Sequence, residues 1–199
     1  MSKRVFDILL SISGLIITSP LFLIIALMIK LGDGGPVFFT QERIGRYGKK
    51  FHIYKFRSMS VLKSAEKGQF DPGNKSRITK IGSLIRETKL DELPQLINVF
   101  RGKMSFVGAR PEVDYWVNTY PEKWTLIHQV KPGMTDNASI EFRNEEENLA
   151  KSTSSNDTYR TEILPKKLAL YEEYVRTRSF IGDIKIILRT IFVVITKKN

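Results

Sequence analysis

Residues 1–35 read MSKRVFDILLSISGLIITSPLFLIIALMIKLGDGG, and the stretch from Ile8 to Ile29 is an uncharged run of 22 residues. As a helix, that run is about 33 Å long, enough for the hydrocarbon core of a bilayer. A cleaved signal peptide fits less well, because its apolar region is shorter and ends at a small-residue cleavage site. Ser19-Pro20 lies near the middle. Proline removes one helical hydrogen bond and clashes with the carbonyl four residues back, so the pattern predicts a break there, leaving halves of about 15 Å each. The flanking charges argue that the chain returns. Lys3 and Arg4 precede the run, and Lys30, Arg43, Arg46, Lys49 and Lys50 follow it, so the positive-inside tendency draws both ends to the cytoplasmic side. A re-entrant helix-break-helix satisfies both ends, provided that Ser19 or nearby groups cap the backbone freed at Pro20. A kinked span through the bilayer is the alternative. The reading divides the chain into a membrane-anchoring segment, 1–35, and a cytoplasm-facing domain, 36–199.

The chain has 199 residues, enough for one sizeable core with attachments. Its formal charge of +11 points to an anionic partner: nucleic acid, an anionic membrane surface or a phosphorylated substrate. There is no cysteine, and the only histidines are His52 and His128. Disulfides, thiolate nucleophiles and Cys/His zinc sites are therefore excluded, and a Ser-His triad has little to draw on. Carboxylates, lysines and arginines must carry any chemistry.

After the Gly32–Pro36 punctuation, "VFFTQ" and "FHIYKF" are short β-prone runs joined by "ERIGRYGKK". Gly45 and Gly48 make a small hairpin the expected structure. "GRYGKK" lacks the spacing and the hydroxyl residue of a phosphate loop. Residues 60–76 are polar and turn-rich, which predicts a mobile connection. Helical spacing resumes in "KIGSLIRETKLDELPQLINVF", with two helices expected to meet near Asp91. The tract "EENLAKSTSSNDTYRTE" reads as a solvated loop. The C-terminal "GDIKIILRTIFVVITKKN" carries Lys185 and Arg189 on one helical face. It is either a core helix or an amphipathic interfacial helix, with Lys197 and Lys198 favouring the second. The expected class is α+β, mainly helical: a single membrane-associated domain with a re-entrant helix, a small β-hairpin and amphipathic interfacial helices.

Within "LDELPQLINVF", residues 90–100, Asp91 and Glu92 stand side by side before Pro94. Proline favours the first turn of a helix, so the pair should sit at the positive end of a helix dipole, which helps keep carboxylates ionised. Adjacent helical residues point about 100° apart, so the two should serve different tasks. An acidic capping pair with no further role is the simpler reading. The surroundings argue otherwise. "YKFRSM" supplies Lys55 and Arg57, "LIRE" supplies Arg86, and "MSFVGARPE" supplies Gly108, which permits close backbone approach, and Arg110. Arginine forks and lysine point charges suit phosphate oxygens, so the set suggests phosphoryl chemistry.

These residues resemble the small monotopic bacterial polyprenol-phosphate phosphoglycosyl transferases, the initiating sugar transferases. The likeness runs through "KRVFDILLS", Ser19-Pro20, "GPVFFTQERIGRYGKKFHIYKFRSM", "RITKIGSLIRETKLDELPQLINVFRGKMSFVGARPE", "KPGMT" and "DIKIILRTI". It implies an enzyme of the bacterial inner membrane with its catalytic domain on the cytoplasmic face. Such an enzyme moves a sugar 1-phosphate from a UDP-sugar to polyprenyl phosphate, releases UMP, and works by a ping-pong route with Mg²⁺. By position, the resemblance makes Asp91 the nucleophile and Glu92 its partner in the dyad, with both as candidate metal ligands. Lys55, Arg57, Arg86, Gly108 and Arg110 become candidate phosphate-binding positions. The implied partners are the UDP-sugar, the polyprenyl phosphate and the phospholipid bilayer; a homo-oligomer is left open. One departure is Asp136, which stands where many members have a glycine and puts carry-over of sugar specificity in doubt. A nucleic-acid binder would gather its basic residues on one stripe, and here they are dispersed. A non-catalytic membrane-docking adaptor explains the anchor and the charge but not the carboxylate pair.

Overall fold

The computed structural model describes residues 3–60 and 77–196. The expected mobile connection, apart from Ser60, and the terminal lysines Lys197 and Lys198 lie outside the described residues. The chain forms two compact units. Among the described residues, the first comprises 3–42, 52–60 and 77–102, and the second 43–51 and 103–196.

In the first unit, helix α1 runs from Lys3 to Asp33 without interruption, with Pro20 inside it. The predicted break is therefore absent as a change of secondary structure. The physical reason is local. Pro20 cannot donate to the carbonyl of Ile16, and the Ser19 hydroxyl donates to that oxygen instead at 2.8 Å. The anticipated capping role of Ser19 is thus present within a continuous helix. Ile16, Ile17, Leu23 and Leu31 are exposed, and α1 is long and apolar enough to cross a membrane. Its other face is covered. Arg4 donates from Nη1 to the Val99 carbonyl and from Nη2 to the Phe100 carbonyl, both at 2.6 Å. Ile25 and Ile29 join Phe56 and Ile85 in a core.

Strands β1, Phe38–Ile44, and β2, Lys50–Phe56, pair as the expected hairpin. Helix α2, Lys80–Glu87, starts at Thr79, whose hydroxyl accepts from the Gly82 amide at 2.9 Å. It packs so closely on the end of β2 that a Cβ at Gly82 would lie 1.8 Å from the Ser58 carbonyl oxygen. Helix α3, Gln95–Phe100, follows a short 3-10 turn over Leu90–Glu92. The two helices therefore meet at the acidic pair, as the periodicity predicts.

The second unit contains the hairpin turn, where Tyr47 adopts φ 58° and its amide donates to the His128 carbonyl at 2.8 Å. Strand β3, Ser105–Val107, pairs in parallel with β4, Gly133–Thr135, with Ser105 opposite Gly133 and Val107 opposite Thr135. Between them lie α4, Asp114–Val117, and α5, Pro121–Ile127. Helices α6, Asn137–Glu141, α7, Glu145–Ala150, and α8, Ser155–Thr158, then lead through a π-helical turn at Tyr159–Ile163 into α9, Leu164–Thr177. Trp116, Trp124, Leu149, Tyr159, Leu168 and Tyr171 lie within the core. The tract read as a solvated loop is therefore mostly helical. Leu149 and Tyr159, each 1% exposed, anchor it; two apolar residues ten apart show no periodicity and so escaped the pattern.

Helix α10, Phe180–Ile195, is capped by Ser179. Tyr174 ties its start to β3, donating at 2.8 Å to Asp183 Oδ1 and lying 3.1 Å from the Val107 carbonyl. Only a narrow face, with Asp183 and Ile186, is buried, whereas Ile181, Leu188, Phe192 and Ile195 are exposed. A fully enclosed core helix is excluded.

Candidate active site around Asp91 and Glu92

The acidic pair occupies the turn that joins α2 to α3. This turn begins with Lys89 in the left-handed region at φ 58°, with its amide held by the Arg86 carbonyl at 3.1 Å. A non-glycine residue there carries strain, which is often found beside functional groups. In a 3-10 turn, successive side chains diverge by about 120°, and the two acids part accordingly. Asp91 is 6% exposed. Glu92 turns toward β2, where its Oε1 lies 2.9 Å from Lys55 Nζ. The two residues occupy different surroundings, as expected from their adjacency.

The electrostatics of Asp91 differ from the helix-dipole expectation. The pair precedes α3 and is not inside its first turn, and α3 has only six residues. Burial is the largest influence and raises the Asp91 carboxyl above its ordinary value. Lys55 opposes this, Glu92 adds to it, and Arg86 and Lys89 lower it. Desolvation penalises the charged form of a carboxyl group, while nearby cations favour it. Burial shields the Asp91 carboxyl from water, and the three cations that act on it can take up negative charge from an approaching phosphate.

The structure therefore brings together Lys55, Arg86, Asp91 and Glu92 in the first unit. Arg57 belongs to the same unit but is placed differently. It is 6% exposed, and its Nε donates to the Pro36 carbonyl at 2.6 Å. Its guanidinium packs against the chain turn at Gly35, so its first role is to hold the link between α1 and β1. Gly108 and Arg110 lie in the second unit. At Gly108 the expected close approach is to the protein's own backbone: a Cβ there would be 2.4 Å from the Lys131 carbonyl oxygen. Arg110 is half-buried.

Among the described residues, no group of three or more histidines, cysteines or acids converges on one point. The dyad nevertheless offers hard oxygen donors of the kind Mg²⁺ takes. That ion is usually held by one or two carboxylates, with waters and substrate phosphates completing the shell, so the donor set fits.

The sequence profile described as bacterial sugar transferase matches residues 1–197. The chain belongs to the bacterial sugar transferase family. It is 40% identical over 194 residues to the UDP-glucose:undecaprenyl-phosphate glucose-1-phosphate transferase of Escherichia coli strain K12, covering 96% of this chain and 39% of that protein. It is 39% identical to the uncharacterized sugar transferase EpsL of Bacillus subtilis strain 168, covering 95% of this chain and 85% of the relative. It is 35% identical to the exopolysaccharide production protein ExoY of Sinorhizobium fredii, covering 96% and 84%. The chain thus spans well under half of the Escherichia coli transferase but most of the two shorter relatives.

In this family member, three further residues frame the site without having stood out in the sequence. Asn98, 1% exposed, donates from Nδ2 to the His52 carbonyl at 2.8 Å and accepts from the Tyr54 amide at 3.0 Å, so it pins the strand that carries Lys55. An asparagine within the apolar "LINVF" was the available signal. Lys89 acts on Asp91 from the turn itself. Gln95, also 1% exposed, has no hydrogen-bond partner for either side-chain polar atom among the described residues, and nothing in the pattern marks it.

Proposed function

We propose that the chain transfers a sugar 1-phosphate from a UDP-sugar to polyprenyl (undecaprenyl) phosphate and releases UMP, initiating glycoconjugate or polysaccharide assembly. The observation that carries the reading is the buried Asp91 carboxylate, set among Lys55, Arg86 and Lys89 with Glu92 beside it. An Asp91 carboxylate oxygen attacks the sugar-bearing phosphorus, the bond from that phosphorus to the UMP oxygen breaks, and an aspartyl-phosphosugar forms. The lipid phosphate oxygen then attacks the same phosphorus, and the bond to Asp91 breaks. Splitting the displacement this way gives ping-pong kinetics. Lys55 and Arg86 offset negative charge as the phosphate approaches, and burial keeps water from the acyl phosphate. Asp91 and Glu92 would hold Mg²⁺, which when bound neutralises charge on the donor phosphates.

A lipid acceptor calls for a reaction at a membrane surface, which we read as the cytoplasmic face of the bacterial inner membrane because positive charges flank both ends of the apolar run. There, α1 would enter the bilayer and return, bending at Pro20, and the apolar face of α10 would lie in the interface. Cysteine labelling of both ends of α1 tests that course; labels on opposite sides of the membrane reject it. The reaction is tested by UMP release from detergent-purified protein given undecaprenyl phosphate, Mg²⁺ and a panel of UDP-sugars including UDP-glucose and UDP-N-acetylgalactosamine. Turnover that is lost in Asp91→Asn supports the reading. Equal UMP release by wild type and variant removes Asp91 as the nucleophile.

A further inference from the structure

Gln95 opens α3 and is 1% exposed, yet among the described residues neither its Oε1 nor its Nε2 has a hydrogen-bond partner. A buried amide in this state gives up the hydrogen bonds that water offers it in the unfolded chain and gains none in return, so stability alone favours an apolar residue of the same length. Native interiors hold few such groups, and catalytic duty is one reason for those that persist.

The backbone sets this amide beside the acidic dyad. Leu93, at φ -52° and ψ -37°, and Pro94, at φ -61° and ψ -15°, both have right-handed helical angles. The Leu93 amide donates to the Leu90 carbonyl, the Leu96 amide to that of Leu93 and the Ile97 amide to that of Pro94. The chain is therefore helical without interruption from Leu90 into α3. On such a backbone, residues three and four apart are surface neighbours, and Gln95 stands three after Glu92 and four after Asp91. Side chains on a helix lean toward its N-terminus, onto the residues three and four back, so Gln95 leans toward the dyad. Contacts on either side fix the face that it occupies. Glu92 meets Lys55 of β2 at 2.9 Å, and Asn98, three residues beyond Gln95, holds the Tyr54 amide and the His52 carbonyl of the same strand. Glu92, Gln95 and Asn98 thus form one stripe along β2, wholly within the first unit, with Gln95 in its middle and shut off from solvent.

We propose that Gln95 is a positioning residue for the nucleophile: during the reaction its Nε2–H donates to the Asp91 carboxylate oxygen that does not attack, which turns the other oxygen toward the phosphorus. The proposal rests on the reading of Asp91 as the nucleophile. Before attack, the hydrogen bond fixes the rotation of the carboxylate. In the aspartyl-phosphosugar the same oxygen is the carbonyl oxygen of the acyl phosphate, and it regains negative charge as the lipid phosphate displaces the carboxylate. A donor held there in a site closed to water stabilises that charge more than water would. Gln95 is neutral, so it orients Asp91 without tying it up in an ion pair. An interaction absent from the free protein and made only as the reaction proceeds raises kcat and leaves KM in place.

The test pairs steady-state UMP release with thermal unfolding of the full chain in the same detergent, for wild type, Gln95→Met, Gln95→Leu and Asp91→Asn. The substrates are undecaprenyl phosphate, Mg²⁺ and the UDP-sugar that the wild type turns over. Gln95→Met should melt at or above the wild-type temperature and keep the donor KM within about twofold, while kcat falls by about tenfold or more. Gln95→Leu, which also lacks the donor group, should lose kcat to a similar degree. A purely structural role moves the two readouts together, so a fall in Tm that accompanies the fall in kcat overturns the positioning role. Wild-type kcat in either apolar variant overturns it as well, and in both cases loss of UMP release in Asp91→Asn leaves the transferase reading in place. Equal UMP release by wild type and Asp91→Asn, or none by the wild type from any donor, rejects the nucleophile reading and the inference with it.

Discussion

Replacing Gly82 with alanine tests how the site is held in register. Gly82 is buried in α2, and its Cβ would stand 1.8 Å from the carbonyl oxygen of Ser58, 2.6 Å from the carbonyl carbon and 2.8 Å from Cα. All three are backbone atoms, so no side chain can swing aside, and the helix must move by more than about 1 Å to reach ordinary contact. The same movement stretches the 3.1 Å hydrogen bond from the Thr79 amide to the Ser58 carbonyl, which secures the start of the helix. Alanine favours a helix over glycine by about 1 kcal/mol, whereas overpacking costs about 1–3 kcal/mol and more when the backbone must yield. The clash wins. At about 2–4 °C per kcal/mol for a protein of this size, Tm should fall by several degrees. The effect on activity should be larger than the effect on stability, because α2 carries Arg86 and the neighbouring strand carries Lys55. Displacing one from the other by about 1 Å should lower UMP release by about a hundredfold. Thermal unfolding and UMP release in the same detergent measure both, with Ser83→Ala, exposed on the same helix, as the control. If Gly82→Ala melts and turns over like Ser83→Ala, the helix is not held against Ser58 as described and the reasoning fails.

Three further outcomes are expected. Arg4→Met removes both charge-assisted hydrogen bonds to the end of α3 and should destabilise the protein by about 2 kcal/mol; unchanged melting would mean that α1 does not cap that helix. Gln95→Met removes a buried amide that has no hydrogen-bond partner among the described residues while keeping its length, and should stabilise by about 1–2 kcal/mol; a drop in Tm would reveal a partner for the amide. Asp136, 2% exposed, has its carboxyl raised by burial, against the opposing hydrogen bonds from Ser139 and the charges of Lys167 and Arg110. A carboxyl raised in the folded state holds its proton more tightly than in the unfolded chain, so its contribution to stability declines as pH rises through the raised value. Asp136→Asn keeps an acceptor for the Ser139 amide, held at 2.7 Å, and should gain stability over wild type near neutral pH. The gain should disappear below the ordinary carboxylate range. A pH-independent difference would remove the ionisation argument.

Much of this protein is written locally. The uncharged run with Ser19-Pro20, the hairpin around Gly45 and Gly48, and the two short helices flanking Asp91 and Glu92 follow from hydropathy period and turn chemistry acting over a few residues. Those forces are the same in any context, so they are readable before folding. The family likeness likewise rests on ordered motifs along the chain. Continuity through Pro20 depended on one hydroxyl finding one carbonyl, a contact within a single turn that composition does not decide.

Other features arise from contacts between residues far apart in sequence. Burial of Asp91 outweighs the dipole expectation because the packing around the turn desolvates its carboxyl more strongly than Lys55, 36 positions earlier, favours its charge. Arg57 has the same side chain as Arg86, yet the fold turns it onto the Pro36 carbonyl. Leu149 and Tyr159 order a tract with no periodicity, and Glu112 meets Tyr159 47 residues away. Hydrophobic pattern and turn propensity act on neighbours along the chain and so survive in the bare sequence. Desolvation, ion pairing and close backbone approach depend on distance in space, and for Asp91, Glu112 and Gly82 that distance exists only in the folded molecule.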